Sequence, residues 1–387
     1  MTADTNNNQD RLKIAVLVKR FITTGGSERY AVEVTRRLRD KGHHIDLYSR
    51  VVDERFSAGM KLHRVPDKLR FSSVLNSVSF ARETARMLQG KKYDVIHSHE
   101  RGYMQDVLTI HTFSYRGGTM KYSLFKKIDR VYLSPRSGLY LWLESKQMGT
   151  PWLVAVSRVI KEDCRKYYNR DKGVSIITPG VDVDWFHPAF MVESREQVRL
   201  EENLPENEMV VLFVGSEFRR KGLDHLIPAI GPGMRLLIIG SGEREDYYRG
   251  LVNKCGLTDK IYFKGHSENV RKYFAASDVV VLPSISEAFG MTVLEGMACG
   301  HPVVTSSSAG ASALIEDGVN GMIFDEPSKL PGILRRLLDP YERRRLGIQA
   351  RETAQKHTWD IAADKYENLF YQVAQEKDTA SLKYNLP

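Results

Sequence analysis

The apolar positions of this chain fall into short runs, and between the runs they recur every three or four residues. Leu12–Val18 is a β-like run; the loop Phe21–Ser27 follows it, and Tyr30, Val34 and Leu38 then repeat at helical spacing as far as Gly42. Ile45–Tyr48 predicts a second strand, Val78–Gln89 a helix and Asp94–His97 a third strand. Val154–Val156 and Ser175–Ile177 continue the alternation until Thr178-Pro179-Gly180 breaks it. A fresh series opens at Val210–Val214, with a helix from about Gly222 and strands at Arg235–Ile239, Ile261–Phe263, Val279–Leu282 and Pro302–Thr305. Strands alternating with helices build a parallel, doubly wound sheet, so the predicted fold class is α/β: two facing Rossmann-like domains with a cleft between them. Asp182–Asn203, with Pro188 and then a charged helical pattern, reads as the linker. Thr358–Gln372 is a last helical pattern, and the polar tail from Glu376 is expected to fray.

Size agrees with this reading, because 387 residues at 42% hydrophobic composition exceed what one ordinary core needs. Cys164, Cys255 and Cys299 lie far apart with no Cys or His at ligand spacing, which speaks against a disulfide framework or a structural zinc site and suits a reducing cytoplasm. The opening MTADTNNNQD lacks a basic start and an apolar stretch, and no run of 18 apolar residues occurs, so neither export nor a membrane span is expected. The net charge of +9 is unevenly placed: residues 1–190 hold 33 Lys+Arg against 20 Asp+Glu, and residues 191–387 hold 24 against 28. A basic N-terminal half points to an anionic partner, whether nucleic acid, an anionic membrane surface or a phosphorylated acceptor; a solvated basic surface is the bland alternative.

The richest stretch is Ser284–Gly300, SISEAFGMTVLEGMACG, which follows an apolar strand and opens a helix near Gly290. A strand, a turn and a helix start with small residues make an anion site, because the first helical N–H groups are unpaired and the positive end of the dipole faces the ligand. Glu287 sits in the turn, and Glu295 lies five residues past Gly290, about 7.5 Å along the axis. That spacing suits a diphosphate at the helix start with hydroxyl groups at the two carboxylates, which accept hydrogen bonds from sugars. Glu287-Ala288-Phe289-Gly290 followed by Glu295 resembles the E-x-F-G-x-x-x-x-E signature of retaining glycosyltransferases of family 4, which have the GT-B fold. The resemblance implies that Glu287 contacts the donor sugar, that the backbone at Phe289, Gly290 and Met291 holds the diphosphate, and that Glu295 binds the ribose.

Other landmarks of that family follow in order along the chain. Gly25-Gly26 resembles the glycine loop that approaches donor phosphates or acceptor, and Ile110-His111-Thr112 resembles the segment whose histidine reaches the donor sugar. Tyr93–His99 is similar to a family strand with a histidine-bearing end; His99 is equally a hydrogen-bonded structural residue. Ala155-Val156-Ser157 and Ile177–Asp182, ending Phe186-His187-Pro188, resemble the crossing into the second domain. Gly215-Ser216-Glu217-Phe218-Arg219-Arg220-Lys221-Gly222 resembles the loop whose arginine and lysine neutralise the leaving diphosphate, a spelling close to lipopolysaccharide-core glucosyltransferases of the family. The arginine usual directly after Gly215 is Ser216 here, so the role passes to Arg219 or Arg220, of which Arg220, beside Lys221, is favoured. The domains implied are 11–187 for the acceptor, 188–357 for the nucleotide sugar, and a closing helix, 358–375, crossing back to the first.

Three other signals fail. Gly240-Ser241-Gly242 has Glu245 where a dinucleotide fingerprint needs its third glycine; Asp182-Val183-Asp184 reads as turn and cap chemistry; Cys299 reads as packing. The function expected is transfer of a hexose from a nucleotide sugar, UDP-linked, with no metal or other cofactor, to an anionic glycan or glycolipid such as a lipopolysaccharide core. Residues 111–150 place Arg116, Lys121, Lys126, Lys127 and Arg130 among aromatic residues, a pattern that is either a membrane-facing patch or core. RNA- and DNA-binding modules are absent, so nucleic acid is not expected, and the location implied is the cytoplasm, peripherally on the inner face of the membrane. The alternatives are another sugar-nucleotide enzyme of this architecture, such as an epimerase, and a non-catalytic nucleotide-sugar binder.

Overall fold

The computed structural model describes residues 11–68, 72–120 and 134–384. The chain divides into two compact units, one built from Met1–Val156, Ile160–Ile177 and Ala362–Pro387, the other from Ser157–Val159 and Thr178–Ile361.

The first unit holds β1 (Lys13–Leu17), a short pair β2 (Arg20–Phe21) and β4 (Val51–Val52), β3 (His44–Ser49), β5 (Lys61–Arg64), β6 (Val95–Ser98), β7 (Val107–Ile110), β8 (Trp152–Ala155) and β9 (Val174–Ile176). Its main sheet runs β5-β3-β1-β6-β7-β8-β9, parallel throughout. Strands buried on both faces carry continuous apolar runs, and Ile14, Ala15, Val16, Leu108, Leu153 and Val154 are inaccessible to solvent. The strand order reverses between β1 and β6, so the loop after β1, with the helix Gly26–Asp40, opens beside the end of β6.

The helix Trp359–Tyr384 begins in the second unit and continues into the first. Ala362, Ala363, Tyr366, Leu369, Phe370 and Val373 form its buried stripe at helical spacing. Glu367 pairs with Lys41 at 2.7 Å and with His43 at 3.0 Å. The fraying expected from Glu376 does not occur, since the helix runs on to Tyr384. Lys377 Nζ donates to the Tyr93 carbonyl at 3.1 Å and to Asp106 at 2.8 Å, which gives this polar turn its own tertiary anchor.

The second unit repeats the plan with β10 (Met209–Val214), β11 (Met234–Ile239), β12 (Ile261–Phe263), β13 (Val279–Leu282), β14 (Val303–Ser306) and β15 (Met322–Phe324). The order is β12-β11-β10-β13-β14-β15, again all parallel, and it reverses between β10 and β13. The helix Pro188–Glu201 is pinned by Arg199, whose guanidinium donates to Asp278 at 2.6 Å and to the Ala276 carbonyl at 2.9 Å, while Asp278 also accepts from Val210 N–H at 2.7 Å. Among the described residues no helix is long and apolar enough to cross a membrane.

Candidate active site

In an open α/β sheet, ligands bind beyond the carboxyl ends of the strands where the order reverses. In the second unit that point lies between the loop after β10, which holds Gly215–Gly222, and the loop after β13, which leads to the helix Met291–Ala298. The Gly215 loop makes a tight hairpin of interactions: Glu217 has a left-handed backbone (φ 56°), and Phe218 is buried as its apolar anchor. A Cβ at Gly215 (φ 154°) would lie 2.5 Å from Lys221 Nζ, so only glycine lets the lysine fold under the loop.

Arg219 is exposed, whereas Arg220 turns inward. Its Nη1 donates to the Ser286 carbonyl at 2.7 Å and to Glu287 Oε2 at 3.1 Å, and its Nε and Nη2 donate to Glu217 Oε2 at 2.9 and 2.6 Å. Lys221 Nζ stands 3.8 Å from the same Glu287 oxygen. Burial lowers the lysine pKa against the opposing pull of Glu287. For Arg220 burial also works against the charge, but Glu217 and Glu287 outweigh it and the pKa is raised. One carboxylate thus holds two cations at the mouth of a helix.

The Glu287 turn is fixed through its carbonyls. Ser286 O accepts from Arg220, Glu287 O from Gly310 N–H at 3.0 Å, Ala288 O from the Ser157 hydroxyl at 2.5 Å, and Phe289 O from Ala311 N–H at 2.7 Å. With four successive carbonyls engaged, the turn has little freedom to rotate. A Cβ at Gly310 would meet Ala288 O at 2.2 Å, so glycine is what allows this close approach. The Phe289 side chain is buried in the apolar core with Val293 and Leu294, and it anchors the turn from below. Gly290 precedes the helix with φ 97°; Val293 N–H closes onto the Gly290 carbonyl at 3.0 Å, which leaves the N–H groups of Met291 and Thr292 without an acceptor inside the helix. Glu295, nearly buried, lies one turn further on, and its charge favours the protonated form of Lys221.

Gly25, Gly26 and His111 belong to the first unit. Gly25 is the N-cap of Gly26–Asp40 with an extended backbone (φ −118°). His111 follows β7, and its Nε2 lies 3.0 Å from His99 Nδ1. His97 Nε2 lies 2.8 Å from Thr109 Oγ1, which is itself 2.6 Å from the Tyr366 hydroxyl; Tyr30 completes the cluster with a bond to the Ile177 carbonyl at 2.9 Å. Burial and the nearby His111 push His97 down to about 3, burial pushes His111 down to about 4, and His99 is lowered well below the ordinary value by burial and both neighbours. Burial thus favours the neutral form of all three rings. Sequence reasoning singled out His99 and His111 but not their pairing, and it missed Glu217, Ser157 and Gly310 as supports of the second-unit site.

Arg116 is exposed, stacks over Tyr168 at 5.4 Å, and is the second residue of the short helix Tyr115–Met120, whose first two N–H groups donate to the buried Glu144. Lys121, Lys126, Lys127 and Arg130 lie outside the described residues. Asp182 accepts from the backbone N–H groups of Asp184 at 3.1 Å and Trp185 at 2.8 Å, a turn. Cys299 is buried, and burial raises its thiol pKa well above the usual value.

Residues 24–185 match the family described as Glycosyltransferase Family 4, and residues 194–353 match Glycosyl transferases group 1. The chain is a GT-B glycosyltransferase related to family 4. As such it acts on a nucleotide-sugar donor. The glycosyltransferase is 28% identical over 399 residues to a D-inositol 3-phosphate glycosyltransferase of Xylanimonas cellulosilytica, covering 91% of this chain and 93% of the relative. Its fold is shared with WaaG, a glycosyltransferase involved in lipopolysaccharide biosynthesis (TM-score 0.80, 21% identity, 92% of this chain and 99% of WaaG). It is shared also with Anabaena HepE in complex with UDP and glucose (TM-score 0.70, 19% identity, 93% of this chain and 100% of HepE).

Proposed function

We propose that this glycosyltransferase moves a hexose from a UDP-sugar to a hydroxyl of an anionic glycan or glycolipid, with retention at the anomeric carbon. The observation that carries the reading is the convergence of Arg220, Lys221 and Glu287 at the Gly290 helix start. In this reading the helix N–H groups at Gly290 and Met291 receive the diphosphate, Glu295 takes the ribose hydroxyls, and Glu287 takes hydroxyls of the sugar. Arg220 and Lys221, now paired with Glu287, turn to the phosphate oxygen on which charge develops as the sugar departs, and so act most strongly in the transition state. The phosphate oxygen takes the acceptor proton on the same face. His111 is assigned to the sugar, and Gly25 and Gly26 to close backbone approach by the acceptor or the phosphates.

The acceptor is read as anionic because the N-terminal half is strongly basic. The relatives named D-inositol 3-phosphate glycosyltransferase favour a phosphorylated acceptor, and WaaG, which is involved in lipopolysaccharide biosynthesis, favours a glycolipid. A lipopolysaccharide core approached from the inner membrane face is the reading adopted; a soluble phosphorylated polyol is the second.

A panel of nucleotide sugars, with and without chelator, tests the donor by thermal stabilisation and by slow release of free nucleotide. Stabilisation and release with UDP-glucose that survive the chelator are expected, since a ligand of the native state raises the melting temperature with the logarithm of its concentration over its dissociation constant. Conversion of the donor to an isomer would instead identify an epimerase, stabilisation without release in the presence of phosphorylated acceptors a non-catalytic binder, and no response to any UDP-sugar would sink the donor assignment.

A further inference from the structure

His99 and His111 face each other with rings 23° from parallel, centroids 5.3 Å apart, and Nδ1 of His99 3.0 Å from Nε2 of His111. Each neutral imidazole has one N–H, so a hydrogen bond between these two nitrogens requires one ring to donate and the other to accept. The remaining nitrogen of His99, Nε2, is buried with no hydrogen-bond partner. Were the proton there, a buried N–H would go unpaired, and an orphaned N–H is the rarer and costlier state than an unused acceptor. His99 therefore carries its proton on Nδ1 and donates it to His111 Nε2. His111 must then hold its own proton on Nδ1. Of the three clustered imidazoles only His111 is part-exposed, so this N–H belongs to the ring that meets the surface.

The surroundings leave His99 no alternative. His97 packs on it at 4.2 Å between centroids, Tyr30 sets its edge 6.1 Å away, and the His99 N–H of the main chain is tied to Leu17 O at 2.9 Å. His97 Nε2 is committed to Thr109.

We propose that His99 is a positioning residue that locks His111 into the Nδ1–H tautomer, so that His111 presents a hydrogen-bond donor, and never a bare lone pair, to a sugar oxygen. The proposal rests on the role given to His111 above. A donor at this place selects for hydroxyl or carbonyl oxygens on the ligand and makes His99 part of sugar selection without touching the sugar.

Histidine-labelled protein, examined by long-range 15N–1H correlation without ligand at pH 7.5, reads the tautomer directly, with His111 assigned by its loss in His111→Gln. A protonated Nδ1 and a bare Nε2 at His111 are expected; a proton on Nε2 overturns the proposal. In His99→Leu the tautomer of His111 should become mixed, and an unchanged spectrum also overturns it. Turnover of UDP-glucose should fall about tenfold in kcat in that variant with little change in KM. His99→Asn places an amide N–H near the Nδ1 position and should recover most of the rate, which a purely structural role would not produce; should the leucine variant fail to fold, the wild-type spectrum and the asparagine variant decide. Wild-type turnover in His111→Ala would remove the catalytic role of His111 while leaving the tautomer assignment standing.

Discussion

Lys221 sits under a glycine with one carboxylate oxygen at 3.8 Å, and burial lowers its pKa even against the carboxylates around it. The reaction proposed needs the ammonium form. Because a lowered pKa means the proton leaves earlier as pH rises, kcat/KM should decline on the alkaline side, starting below the ordinary lysine value of about 10.4. Lys221→Arg, protonated at all accessible pH, should remove that decline, which a pH–rate profile would reveal. Lys221→Ala should cut kcat by about 10²–10³ while UDP affinity, measured by calorimetry, falls less. The pairing of Arg220 with Lys221 was legible because the two are adjacent and basic. The Glu217 tether was not, since nothing in its neighbours announces a left-handed backbone that brings its carboxylate back to Arg220.

Elements were readable where they were apolar and long. β1, β10, β11 and β13 stand where the runs of branched residues stand, while β5 (KLHR), a half-exposed polar edge, shows no apolar run, and the short strands β7 (VLTI) and β15 (MIF) were not picked out although they are apolar. Contacts across the sequence were out of reach: Ser157 reaches Ala288 over 131 residues, and His99 finds His111 only because β6 and β7 are sheet neighbours. The linker pattern at Asp182–Asn203 gave no hint of how firmly Pro188–Glu201 is held. Asp278, buried, is kept below the ordinary carboxylate range by Arg195 and Arg199, which outweigh the opposing effect of burial. Asp278→Ala would leave Arg199 charged and unpaired inside the protein, and should cost about 3–5 kcal/mol, read as a lower urea midpoint. Replacing Arg199 and Asp278 together by apolar residues should recover much of that loss.

At the scale of the whole molecule, charge is the property that sequence alone reports in full. The basic N-terminal half sets an expectation of attraction to anionic surfaces at low ionic strength. Sedimentation with phosphatidylglycerol vesicles should be strong in about 50 mM salt and should weaken steeply towards 300 mM; binding that ignores salt, or no binding, would remove the membrane from the proposal. The order of elements was legible at this scale too, because two successive α/β series are visible in the apolar runs. One feature of that order bears on any attempt to recombine this enzyme with a relative. The first unit is completed by Ala362 onward, whose Tyr366 and Phe370 pack on His97. A chimera cut once, at the boundary near Ile177, would therefore join each N-terminal half to a foreign final helix and leave the histidine cluster with mismatched walls. Exchange of the second unit calls for two crossovers, so that the last helix travels with the beginning of the chain.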